Sequence, residues 1–125
     1  MNPRDAVTLE AWVFLTDRSA GQIGIAGTWD DLVTSGRTYF LWIQGGRLEF
    51  LVNTASFGRA TAPTLFPLNE WVHVAGTYDG SRIRLIVNGV EVASAAQGGR
   101  IATNNRPFFI GRTDTGSNGA DFFRG

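Results

Sequence analysis

The sequence predicts an all-β domain, a two-sheet antiparallel sandwich of the jelly-roll kind with about nine or ten short strands. Three observations carry that prediction. Apolar and polar residues alternate at period two in run after run. Dipeptides suited to tight hairpin turns, Gly45-Gly46, Asp79-Gly80 and Asn88-Gly89, stand between runs. Helical spacing of apolar residues recurs over no useful length. At 125 residues and 13.6 kDa, the chain suits one domain, residues 1–125, that buries roughly two thirds of its unfolded surface.

The first run, 7–15, sets Val7, Leu9, Ala11, Val13 and Leu15 on one face and Thr8, Glu10, Trp12 and Phe14 on the other. Similar runs follow at 22–29, 38–44 and 47–53, the last two joined by Gly45-Gly46 as a two-residue turn. Between Trp71 and Ala95, the Asp79-Gly80 and Asn88-Gly89 turns define a three-strand meander. Taken as two-residue loops, they pair Tyr78 with Ser81 and Val87 with Val90. Val72, Val74, Ile83, Leu85, Val87, Val90 and Val92 then form the core face. The other face carries Trp71, His73, Ala75, Thr77, Arg82, Arg84, Ile86, Glu91, Ala93 and Ala95, and is partly wet. Arg84 falls diagonal to Glu91, a cross-strand ion pair in prospect. Residues 107–112 make another short strand, and 113–121 are a polar, Gly-rich stretch before Phe122-Phe123.

Composition excludes several classes. Eleven Arg balance eleven Asp plus Glu, with no Lys and no long run of either sign, so no basic stripe for nucleic acid forms. There is no Cys, hence no disulfide framework, thiolate metal site or Cys nucleophile. A single histidine, His73, falls short of the three protein ligands a catalytic zinc needs. No stretch approaches the length of about 18 apolar residues that would insert in a membrane, and Met1 to Asp5 does not read as a signal peptide.

Three segments together, TLEAWV near the start, NEWVHVAGTYDGSRIRLIVNGVEVA in the middle and PFFIGR towards the end, resemble the laminin G-like jelly-roll domains of the concanavalin A-like lectin/glucanase superfamily. The middle segment is the specific part, because it joins a Trp, a His-Val-Ala step and two Asx-Gly turns at fixed spacing. The resemblance implies a non-catalytic recognition module, extracellular or at the cell surface, that binds a glycan or an extracellular protein through loops at one rim or through the partly polar sheet face. It also implies a domain lacking its first and last strands. Edges left open in this way would favour a homo-oligomer or a partner that supplies a strand.

Some relatives of this fold are glucanases with a Glu-x-Asp-x-x-Glu motif. That motif is not in this sequence, and Glu10, Glu49, Glu70 and Glu91 are widely spaced, so the expectation is no enzyme. A degenerate or partial glycoside hydrolase domain is the weaker alternative. His73 matches a family position on a strand and suits a structural hydrogen bond better than catalysis. Trp12, Trp42 and Trp71, inside strands, are expected to fill or edge the core. Trp29 ends a strand before Asp30 and Asp31 and could stack on a sugar. With Asp30, Arg112 and Asn118 it makes the predicted ligand-binding set at one loop rim. Asp30, Asp31 and Asp114 supply loop oxygens of the kind Ca²⁺ selects, and the resemblance implies one such ion at a rim; the same residue types also simply form turns.

Overall fold

The computed structural model describes residues 5–17, 21–28, 38–54, 56–102, 108–114 and 120–122, of which 109, 112–114 and 120–122 are described by backbone alone. Among these, eleven strands and no helix occur: β1 (Val7–Phe14), β2 (Gln22–Thr28), β3 (Tyr39–Gln44), β4 (Arg47–Asn53), β5 (Phe57–Thr61), β6 (Trp71–Tyr78), β7 (Arg82–Val87), β8 (Val90–Ala96), β9 (Phe109–Ile110), β10 (Arg112–Asp114) and β11 (Ala120–Phe122). They form a four-stranded sheet in the order β1-β6-β7-β8, a five-stranded sheet in the order β5-β4-β3-β2-β9, and a β10-β11 hairpin. Every pairing is antiparallel, as the sandwich prediction requires.

The period-two pattern explains the core. Val13 and Leu15 from the first strand's run, with Val72, Val74, Ile83 and Leu85, meet Ile23, Tyr39, Leu41, Ile43, Leu48, Phe50 and Val52 of the five-stranded sheet, all buried. Gly76, at the centre of β6 between Leu9 and Leu85, lets the Phe50 ring of the facing sheet press directly onto its backbone. Phe40, Trp42 and Leu51 form a second buried cluster on the opposite face of the five-stranded sheet. Trp42 therefore is buried as expected. Its indole N–H donates to Glu49 Oε2 at 2.8 Å, and the Thr61 hydroxyl donates to Glu49 Oε1 at 3.0 Å, which satisfies a carboxylate that the sheet buries.

Two of the three predicted turns hold. Gln44 pairs with Arg47 around Gly45-Gly46, and Val87 with Val90 around Asn88-Gly89, with positive φ at all four turn residues. The Asp79-Gly80 turn is longer than expected, for Tyr78 pairs with Ile83 rather than Ser81. The cause is the Asp79 side chain, whose Oδ1 accepts the backbone N–H groups of Ser81 and Arg82, both at 2.9 Å, and stabilises the wider connection. A shift of two preserves the faces. Arg84 bonds Glu91 at 3.1 Å, the predicted pair, and also Asp79 at 2.8 Å.

Other expectations need correction. A bulge in β8 between the pairs Ile86↔Glu91 and Leu85↔Ala93 swings Ala93 and Ala95 opposite the core residues Leu85 and Ile83, while Val90 is 63% exposed at the hairpin end. The run 107–112 splits at Gly111, where φ is +77°, into β9 and β10. The polar stretch 113–121 is not all loop, because Ala120–Phe122 returns as β11 against Arg112–Asp114. β5 carries no alternation that sequence reading could use.

Asp79 gives a testable pH dependence. The Ser81 N–H, then the Arg84 guanidinium and the Arg82 N–H, hold its carboxyl well below the usual carboxylate range. A carboxyl acidified by folding stabilises the fold above its unfolded-state value, and that contribution fades as pH falls through the folded one. The urea midpoint should therefore fall as pH drops from about 5 towards 2, and Asp79→Asn should flatten part of that fall. Equal slopes for both proteins would contradict this assignment.

Candidate functional site

The outer face of the four-stranded sheet carries an aromatic patch. In the β1-β6 ladder Trp12 lies opposite His73 and Phe14 opposite Trp71, so four rings stand in two adjacent rows. Trp12 is 66% and Trp71 65% exposed, which corrects the expectation that they fill the core. Their positions follow from the alternation itself, since the even positions of β1 and the odd positions of β6 from Trp71 to Thr77 point away from Val13, Val72 and Val74. Trp12 packs on His73 with ring centroids 5.2 Å apart and planes tilted 59°, and Phe14 on Trp71 at 5.5 Å and 57°. Such contacts fix ring orientation while leaving one face of each Trp to solvent.

Polar groups border the patch. Glu10, one row along from Trp12, has Oε2 3.9 Å from His73 Nε2. The His73 backbone, rather than its ring, makes the hydrogen bonds here: its N–H donates to Asn88 Oδ1 at 2.9 Å and its carbonyl accepts the Asn88 N–H at 2.8 Å. That pair locks the Asn88-Gly89 turn beside the patch, with Asn88 held at φ +50°.

Trp29, Asp30, Asp31 and Asn118 of the predicted rim site lie outside the described residues. Arg112 and Asp114 are placed on β10 by backbone alone. Among the described residues, no group of three or more His, Asp and Glu could hold a metal ion. Glu10 and Glu49 stand on outer faces of opposite sheets. Glu10 and Glu91 are three strand spacings apart, about 14 Å, beyond the reach of a glycosidase carboxyl pair.

A second feature lies where the two sheets end. Among the described residues β1 and β9 are the edge strands on one side, and between them runs an apolar groove of about 260 Å³ lined by Leu9, Ala11, Val13, Ile25, Phe108 and Ile110, among others. Ile110 is 79% exposed there. Among the described residues, no helix is long and apolar enough to cross a membrane.

Residues 1–125 match the laminin G 3 family, described as belonging to the concanavalin A-like lectin/glucanases superfamily. The chain belongs to this family. Among curated proteins, this laminin G 3 domain is similar to mouse pappalysin-1, 29% identical over 109 residues, covering 76% of this chain and 7% of that protein. It therefore spans a small fraction of the relative's length. Among solved structures, one neighbour is a Bacteroides ovatus protein assigned to carbohydrate binding, with TM-score 0.75, 25% identity and coverage of 97% of this chain and 35% of that one. Another is the CBM40 module of a Ruminococcus gnavus IT-sialidase bound to α2,3-sialyllactose, with TM-score 0.74, 14% identity and coverage of 99% and 72%.

The signal that could have located the patch was in the sequence. Trp12, Phe14, Trp71 and His73 all fall on the non-core face by simple alternation.

Proposed function

We propose that this laminin G 3 domain is a non-catalytic glycan-binding module, working outside the cell or at its surface, whose ligand lies across the outer face of the four-stranded sheet. The observation that carries this reading is the pair of indoles, about two thirds exposed, set diagonally across the adjacent strands β1 and β6. A regular sheet face has no packing reason to expose two tryptophans, and an exposed apolar patch rimmed by polar groups marks an interaction surface. The negative face of an indole suits the C–H face of a sugar, and His73 and Asn88 border it with hydrogen-bonding groups. The assignment of the Bacteroides ovatus neighbour to carbohydrate binding supports the same class.

A glycan screen with and without chelator tests where binding occurs. Retention in chelator is the expected result for a site made of Trp12, Trp71 and their neighbours. Loss on chelation would contradict it and favour a calcium site at Asp30, Asp31 and Asp114, with Trp29, Arg112 and Asn118 beside it.

The groove favours a second reading, assembly of copies through the β1 and β9 edges. Open strand edges flanking an apolar channel are what an added strand or a second copy would cover. Sedimentation velocity should then show concentration-dependent association that Ile110→Glu abolishes, whereas a monomer at all concentrations would overturn this reading.

A further inference from the structure

The charges around the aromatic patch restrict which glycans it accepts. Glu10 is exposed and adjoins the Trp12 row, and Glu70 directly precedes Trp71 and is also exposed. The described arginines are elsewhere or already committed. Arg84 pairs with Thr77, four residues along β6 from His73 or about 13 Å, and its guanidinium is held by Asp79 and Glu91. Arg82 lies two residues further along the same strand. Arg100 pairs with Asp5, and Arg47 and Arg59 belong to the five-stranded sheet. Glu10 pairs with Ala75, so Arg84 is two strands across and two residues along from it, about 12 Å; that is beyond the screening length of about 8 Å at physiological ionic strength, and Arg84 does little to offset Glu10 at the patch.

Recognition of a sugar carboxylate or sulfate calls for a guanidinium or ammonium placed against it. Here such a group would stand beside carboxylates instead. Resting on the glycan-binding reading above, we infer that the sheet-face site selects uncharged glycans and rejects those bearing carboxylate or sulfate groups. Glu10 is the residue that imposes this choice, as a like-charge barrier rather than a contact to the neutral sugar.

The test is an array of neutral glycans and their acidic counterparts on the same neutral cores, lactose with sialyllactose among them. It is read at physiological ionic strength. Neutral glycans should be retained, with each acidic counterpart weaker by roughly two- to fivefold, the range expected of one exposed like charge. The readout for Glu10→Gln is the ratio between the two, which should shrink several-fold, and Glu10→Arg should shrink it further or reverse it. Circular dichroism of each variant confirms that the sheet is intact.

Equal or tighter binding of acidic glycans by the native domain would overturn the charge selection and leave the glycan reading in place. So would a ratio that Glu10→Gln and Glu10→Arg do not move. Failure to bind any glycan on the array would overturn the glycan reading itself, and the selectivity with it.

Discussion

Replacing Gly76 with alanine is expected to cost about 3 kcal/mol. Gly76 sits mid-strand in β6, paired with Leu9 on one side and Leu85 on the other. A Cβ built there would fall 2.6 Å from Cδ1 of Phe50, a separation that real Cβ atoms essentially never show. The ring has nowhere to retreat, since Phe50 is fully buried and anchors the middle of the facing sheet. Relief would require the two sheets to part or Phe50 to leave its rotamer, and either loosens the whole core. Urea unfolding measures the loss directly. Pairing Gly76→Ala with Phe50→Leu should recover part of it, because the smaller side chain vacates the space the methyl needs. A loss below about 1 kcal/mol for Gly76→Ala would mean that the sheets do not meet at this point.

The second large effect is on binding. Trp12→Ala with Trp71→Ala should weaken glycan binding by at least about 100-fold, while either single change costs about tenfold or more. Both indoles are mostly in solvent, so truncation removes contact area for a ligand without opening a cavity. Stability should move by about 1–3 kcal/mol, the summed contribution of the two ring pairs Trp12–His73 and Phe14–Trp71, which leaves the fold intact. That combination, lost binding with a retained fold, separates a recognition surface from a structural one. Undiminished binding by the double variant would move the site away from the sheet face.

Much of this architecture was legible because the physics behind it is local. Alternation placed Val13, Val72, Val74, Ile83 and Leu85 in the core, and the Gly45-Gly46 and Asn88-Gly89 turns fixed their registers through positive φ. Where non-local or side-chain effects decide, sequence reading misplaced residues. The Asp79 carboxylate lengthened a turn by capping two amides, and a bulge in β8 turned Ala93 and Ala95 inward; neither leaves a periodic trace. β5 and β11 take their strand form from partners already in place, β4 and β10, rather than from alternation of their own.

The candidate site shows the more instructive error. Alternation put Trp12 and Trp71 on the outer face, and the general tendency of aromatic rings to be buried argued the opposite. The register was the stronger evidence, because the alternation that points Val13 of β1 and Val72 and Val74 of β6 into the core points Trp12 and Trp71 away from it. Trp42 obeys the tendency only because the outer face of its own sheet is covered, with Phe40 and Leu51 buried beside it.

The indole N–H signals in a heteronuclear NMR titration test the sheet-face site most directly, since the chain has four tryptophans in distinct places. On addition of a glycan that binds, the account predicts that the Trp12 and Trp71 signals shift together while that of Trp42, buried and bonded to Glu49, stays still. Movement of the Trp29 signal with Trp12 and Trp71 unchanged would contradict it and return the site to the loop rim.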